Sequence, residues 1–360
     1  AARLASPQKR TTTTAAVPRV AIVVGMTQRP APHPSPASRP ALDESDIVER
    51  QQALAAGYND NEIQRLIANG VWRRLRRGRY IRAQALVGLD QFDVHRLEVR
   101  AALSQVPNAV ASHWSAGVMH RLNMYQPELS LVHLTRPHGQ SSRVEGGVHH
   151  HVGAFDFSTA VEIDGVPVTP LHRTVLDIAR HSSFEAGVVV ADSALRRGMS
   201  REALRAELDA CRNWPGARTA ARVVCFADGR AESVAESLAR IVLDELGLPK
   251  PELQTEWRAP DGTVLARTDF YFPDHHTVVE FDGKLKYDQS VDDAEPADDE
   301  PTNTLWLEKK REDMLRRRFG VEVVRMTWTD LKPERRGALA ARIRDAFEWA
   351  EVRRARPVAG

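Results

Sequence analysis

Arg267-Thr268-Asp269-Phe270-Tyr271-Phe272 sets one acid into an apolar, aromatic run, and eleven positions after Asp269 the run Val278-Val279-Glu280-Phe281-Asp282-Gly283-Lys284 does so again. Both runs have strand composition. A strand repeats every two residues, so Glu280 and Asp282 share a face, with Lys284 projecting near them past Gly283. A buried carboxylate without a partner costs several kcal/mol or takes up a proton. A divalent cation is the simplest partner here, with Asp269, Glu280 and Asp282 as its ligands. Carboxylates suit hard Mg2+ (or Mn2+) and leave positions for water and phosphate oxygens. The alternative is a set of ordinary ion pairs at the strand ends, joining Asp269 and Glu280 to Arg267, Lys284 or Lys309.

Upstream, a helix is expected over residues 231–246, closed by Gly247 and Pro249. Strands are expected over 252–258, 266–272 and 277–282, then an acidic loop over 288–303, a helix over 305–319 and a strand over 321–328. Helix, three strands, helix and strand, with one acid followed by (Asp or Glu)-x-Lys, is the pattern of the restriction-endonuclease-like α/β/α fold. Two registers fit: Asp282-Gly283-Lys284 literally, or Glu280-x-Asp282 with the lysine displaced. Glu232 and Glu236 lie on the upstream helix, and Glu236 is the acid expected to complete a catalytic set with Asp269, Glu280, Asp282 and Lys284. Lys309 and Arg311, beside Glu308, are the candidate phosphate-binding residues on the downstream helix.

At the other end, residues 1–42 are rich in Thr, Pro, Ser and Ala and read as a disordered tail. Residues 43–85 read as a winged helix-turn-helix. A short helix over 49–56 stops at Gly57, and Asn59 with Glu62 forms a capping box for a second helix. Ile63, Leu66 and Ile67 face inward, which turns Asn61, Gln64, Arg65 and Ala68 outward. Two short strands follow, joined across Arg76-Arg77-Gly78. Gln64 and Arg65 match base edges in the major groove. Arg73, Arg74, Arg76, Arg77 and Arg79 are expected at phosphates of double-stranded DNA, giving salt-dependent affinity.

The 360 residues carry a formal charge of only +2, which conceals strong local fields. Residues 65–82 hold seven arginines and no acid, whereas residues 288–300 hold seven acids and no base. A polyanion senses that distribution rather than the total. The two cysteines, Cys211 and Cys225, have no metal or disulfide spacing and are expected to be buried thiols. The apolar run at residues 20–26 is at the minimum for a signal segment and far below the ~20 residues that span a bilayer. The chain therefore reads as cytoplasmic, with no membrane partner. Residues 86–225 read as a mixed α/β region, with helices over 91–105, 111–122, 173–179 and 184–197 and strand-like pieces over 129–135, 148–152 and 161–168. His149 and His151 would share a strand face, but nothing nearby in sequence completes a metal site, so this is expected to be an ordinary, partly exposed strand. His113 and His120 are expected to serve packing or hydrogen bonding. On the residues alone, the chain reads as an α/β multidomain protein, expected to bind DNA and to carry a metal-dependent endonuclease unit over 226–350. The alternatives are a non-catalytic regulator, an antitoxin or repressor, with a degenerate nuclease-like scaffold, and an RNA-directed enzyme of the same fold.

A family resemblance covers most of the chain. Residues 46–81 resemble the winged-helix domain of AbiEi-like antitoxins of type IV toxin–antitoxin systems, and Gly70 to Tyr80 matches the run Gly-x-x-Arg-Arg-x-Arg-Arg-Gly-x-Tyr at its exit. The middle is similar to the same proteins at Ala111-Ser112-His113-Trp114-Ser115-Ala116, at Val168-Thr169-Pro170-Leu171-His172-Arg173 followed by Thr174-Val175-Leu176-Asp177, and at Val190-Ala191-Asp192. The last unit resembles very-short-patch repair endonucleases at Glu236-Ser237 with Arg240, Gly247-Leu248-Pro249, Asp269-Phe270, Glu280-Phe281-Asp282-Gly283, and Glu308-Lys309 with Arg311 before Gly320-Val321. Their pattern has a histidine soon after the Asp-Gly, where this chain has Lys286 and Tyr287. The resemblance implies DNA nicking or cleavage with the metal on Asp269, Glu280 and Asp282, a role in phage defence or stress response, and a cognate toxin as partner.

Overall fold

Three separate sheets organise the computed structural model, which describes residues 47–137, 141–283 and 301–355, the first eight of the last stretch as backbone only. The chain is a mixed α/β protein with eleven α-helices and thirteen strands among its described residues. No helix among them is long and apolar enough to cross a membrane.

The first sheet holds β1 (Ile47–Glu49), β2 (Trp72–Arg76) and β3 (Arg79–Arg82) in the antiparallel order β1-β3-β2. α1 (Arg50–Ala55) and α2 (Asp60–Ala68) lie between β1 and β2 in the chain. α2 starts where the expected capping box stands: Asn59 Oδ1 accepts from Glu62 N at 3.0 Å, and Asn59 N donates to Glu62 Oε2 at 2.8 Å. Ala53, Ile63, Trp72 and Tyr80 make the core, with Leu66 and Ile67 packed against it, while Asn61, Gln64, Arg65 and Ala68 are exposed. β1 was not expected from sequence; three residues are too few for a periodic signal, and pairing with β3 defines it.

The middle opens with α3 (Gln91–Leu103), β4 (Val110–Ala111), α4 (His113–Met119), β5 (Val132–Arg136), β6 (Arg143–Glu145), β7 (Val148–Val152), β8 (Val161–Ile163) and β9 (Val166–Val168). The six strands form one mixed sheet in the order β6-β7-β5-β4-β9-β8. The single strand expected over 161–168 is a hairpin instead. Asp164 and Gly165 have φ of 53° and 73°, the left-handed pair that a tight two-residue turn requires. Four helices follow, α5 (Leu171–His181), α6 (Phe184–Arg196), α7 (Arg201–Ala210) and α8 (Ala217–Phe226), around a core of Val175, Leu176, Val188, Val190, Leu204 and Val223. Gly216, before α8, has a φ of 79°, and a Cβ there would lie 2.0 Å from the Arg180 carbonyl oxygen. Cys211 is buried as expected, but Cys225 is exposed, because α8 turns it away from that core; both are free thiols.

The last sheet holds β10 (Glu252–Arg258), β11 (Val264–Phe272), β12 (Thr277–Asp282) and β13 (Glu322–Thr327) in chain order. β10, β11 and β12 pair antiparallel, and β13 joins β12 in parallel. α9 (Val234–Glu245) and α11 (Pro333–Ala355) share a core with Phe270, Phe272, Val324 and Met326. Leu315 of α10 (Pro301–Phe319) packs with Trp257, Val278 and Val323. Strand alternation puts those two sets on opposite faces, so helices cover both. α9 is shorter than expected because Ser233 caps it, accepting from Glu236 N, which leaves Glu232 outside the helix. Of the expected acidic loop over 288–303, residues 288–300 lie outside the described residues, and 301–303 form the first turn of α10.

Candidate functional site

Phe270 pairs with Val279 across β11 and β12, so Asp269 and Glu280 stand opposite one another one step further along. Both point to the face covered by α10. Asp269 Oδ2 accepts from Phe281 N at 2.8 Å, which fixes the carboxylate against the neighbouring strand. Glu236, only 9% exposed at the start of α9, reaches the same place from the other side of the sheet. Its Oε2 accepts from Glu232 N at 2.9 Å and from Gln254 Nε2 at 2.8 Å. The Gln254 amide also donates to Asp269 Oδ1 at 3.4 Å, linking the two acids. Gln254 has a φ of 55° and is left out of the ladder between β10 and β11. Sequence inspection passed over it, since nothing in a strand of mixed polarity marks a residue in the left-handed region.

The electrostatics of the three acids agree. Burial raises the Glu236, Asp269 and Glu280 carboxyls from their ordinary values. Asp269 adds to the shift at both Glu236 and Glu280. Arg311 of α10 opposes it at Glu280, where its Nη2 lies 2.6 Å from Oε1. Glu280 thus has an ion-pair partner, Arg311, other than the Arg267, Lys284 or Lys309 expected from sequence. Arg267 pairs with Glu232 at 2.7 Å instead, and Lys309 is exposed. Asp282 sits at the end of β12, with Arg325 Nη1 at 3.9 Å from its Oδ2. Lys284 and the neighbouring Lys286 and Tyr287 lie outside the described residues, as does the Glu308 side chain.

The basic hairpin divides into two groups. Arg65, Arg73 and Arg77 are exposed, and none forms an ion pair with a described residue. Arg74 is exposed and its Nη2 donates to Gln64 Oε1 at 3.4 Å, so the α2 surface and β2 meet. Arg76 and Arg79 are turned to structural work. Arg76 Nη2 donates to Gly146 O at 2.7 Å, and Arg79 pairs with Glu49 at 2.7 Å while its Nε donates to Ser104 Oγ at 3.0 Å. The bulge between Arg74 and Arg76 rotates Arg76 towards the turn between β6 and β7.

Sequence inspection also missed a histidine cluster. His113, His133 and His151 are distant in the chain, yet one ligand atom of each lies within 4.8 Å of the others, and among the described residues no carboxylate trio meets that condition.

No known family profile matches this chain. Over 210 residues it is 31% identical to the uncharacterized proteins MT2308 and Rv2248 of two Mycobacterium tuberculosis strains, covering 57% of this chain and 69% of each relative. The crystal structure of the RV2827C protein from Mycobacterium tuberculosis is similar over 55% of this chain and 76% of its own, at 16% identity and a TM-score of 0.36.

Proposed function

The chain belongs to the family of the uncharacterized Mycobacterium tuberculosis proteins Rv2248 and MT2308, and we propose that it is a DNA-binding protein whose last sheet carries a Mg2+- or Mn2+-dependent site for phosphodiester cleavage. One observation carries this reading: Asp269 and Glu280 face each other across adjacent strands, both desolvated, with burial raising each carboxyl from its ordinary value. In this reading residues 43–85 form a winged helix-turn-helix, 86–225 an AbiEi-like α/β region, and 226–350 a restriction-endonuclease-like unit.

The donor set fits a hard cation, since it offers only oxygens and sets two desolvated acids opposite one another. When bound, such a cation supplies neutralising charge and polarises a phosphate oxygen. Asp269 and Glu280 would hold it, with Asp282 further along the same face. Glu236 acts through Gln254, which orients the Asp269 carboxylate. Arg311 stands beside Glu280 and, with Lys309, is placed to take phosphate oxygens as DNA enters. The exposed Arg65, Arg73, Arg74 and Arg77, with Gln64, form the DNA-reading surface.

The Arg311–Glu280 pair favours a second reading. A guanidinium already neutralises one of the two facing acids. A protein that keeps this pair acts as a non-catalytic antitoxin or repressor, with a cognate toxin as partner. Incubating the full chain with supercoiled plasmid and Mg2+ or Mn2+ separates the readings. Nicked product that disappears in Asp269→Asn and Glu280→Gln supports the nuclease. Plasmid that is retarded in a gel but never cut leaves the regulator. Plasmid neither bound nor cut removes DNA from both.

A further inference from the structure

Five histidines from four elements crowd the sheet of the middle region: His113 at the start of α4, His133 on β5, His149 and His151 on β7, and His181 at the end of α5. The parallel register sets His133 beside His149 and Thr135 beside His151, so these side chains share one face. His113 stacks on His151 with ring centroids 3.7 Å apart, and His133 Nδ1 and His151 Nε2 share a hydrogen bond of 2.9 Å. His113 and His133 are only 5% and 7% exposed, and the Nε2 of each is buried without a hydrogen-bond partner among the described residues. Stacked imidazoles with unpartnered nitrogens are a poor way to fill a core, because each such nitrogen has lost its water.

We propose that His113, His133 and His151 form a binding site for a borderline divalent metal, Zn2+ first among them, with a fourth position open to water or an anion. Three imidazoles without a carboxylate or thiolate select this class over Mg2+. The ligand atoms already lie within 4.8 Å of one another. A tetrahedral ion with Zn–N of about 2.0–2.1 Å needs them roughly 3.3–3.4 Å apart, a closure of at most about 1.5 Å for any pair. The His113 and His151 rings lie 15° from parallel, so one must also turn about χ2 to aim its in-plane lone pair; that torsion is soft in histidine. Ser112 Oγ holds His113 Nδ1 at 3.1 Å, which leaves Nε2 for the metal, an outer contact typical of ligating histidines. His113 has a φ of 49°, in the left-handed region that few non-glycine residues adopt. Burial also holds all three imidazoles in the neutral form that ligates, with His133 pushed down to about 3.

This site is separate from the carboxylate site and does not depend on it. The test uses the full chain without a histidine tag, stripped with a chelator and then titrated with Co2+ and with Zn2+. The expected result is one Co2+ per chain with the visible absorption of a nitrogen-ligated, low-symmetry ion, displaced stoichiometrically by Zn2+. Zn2+ should also raise the melting temperature in proportion to the logarithm of its excess over Kd. His151→Ala, the more exposed ligand, should lose the absorption and the shift while keeping the metal-free melting transition. His172→Gln, outside the trio and paired with Glu207, should lose neither. The Asp269→Asn, Glu280→Gln double variant should also retain the full Co2+ spectrum. A wild type with no Co2+ absorption overturns the proposal. So does full binding by both His151→Ala and His133→Gln, or a signal lost in the carboxylate double variant.

Discussion

At the residue scale, the raised carboxyls of Asp269, Glu280 and Glu236 make a definite statement about pH. An acid whose pKa is higher folded than unfolded binds more protons in the folded state, so its stabilising effect is complete below the unfolded value and is lost as pH rises through the folded one. At neutral pH these acids therefore oppose folding. Asp269→Asn should leave the metal-free protein at least as stable as wild type, and the gap should narrow as pH falls into the carboxylate range. Mg2+ should raise the wild-type melting temperature and leave that of Asp269→Asn unchanged. Calorimetric scans with and without Mg2+ decide; a destabilised variant beside a metal-indifferent wild type would favour ordinary ion pairs. A second buried group behaves alike. Asp192 is fully buried, with Arg240 Nη2 at 3.3 Å, and its carboxyl is pushed up to about 6, chiefly by burial. Arg240→Met strands that charge and should destabilise by about 3–5 kcal/mol at pH 7. The loss should shrink at pH 5, where Asp192 takes up a proton in the folded state. Equal losses in urea denaturation at the two pH values would show that Asp192 does not titrate there.

At the element scale, the α2 cap and the hairpin make separable forecasts. Asn59→Ala removes the acceptor for Glu62 N, and α2 should weaken by about 1 kcal/mol, read as a lower urea midpoint. In the hairpin the arginines divide by what they touch. Replacing Arg73, Arg74 and Arg77 with Ala should weaken DNA binding across all sequences and reduce the dependence of log affinity on log salt by about 0.9 per lost phosphate contact. Gln64→Ala or Arg65→Ala should instead relax sequence preference, by roughly 1–3 kcal/mol per lost base contact. Arg76→Ala and Arg79→Ala should mainly lower stability, because these side chains hold Gly146 O and Glu49. Binding isotherms at several salt concentrations, beside melting curves, separate the groups. An unchanged salt slope in the triple variant would remove the hairpin from the DNA surface.

At the scale of the whole molecule, opposed charge and shared packing matter most. The seven acids of residues 288–300 carry a charge of the sign that repels a polyanion. Deleting residues 288–300 should raise DNA affinity, more at low salt than at high, because screening shortens the reach of that field. Equal affinity at low salt with and without the segment would show that its charge does not reach the DNA. The middle and last units are joined by α9. Its Leu238 and Ile241 pack into the helical core of the middle region, while Ala239, Val242 and Leu243 pack under the last sheet. Arg240, between them, reaches Asp192 and Asp228.

How much of this was legible follows from how local each signal is. The strands bearing Asp269 and Glu280, the helix before them and the cap at Asn59 could be read from sequence, because strand period, helix period and capping are set by neighbours within a few positions. The short β1 and the hairpin of β8 and β9 could not, since one is defined by its pairing and the other by two left-handed residues inside an apolar run. The acids of the candidate site were legible, but the Gln254 bridge and the Arg311 partner were not, because each depends on which strand or helix the fold brings alongside. Histidine shows the division most plainly. That His149 and His151 share a strand face follows from the two-residue strand repeat alone. Only the tertiary structure brought His113 and His133 against them, because parallel pairing and helix packing join residues that no spacing along the chain connects.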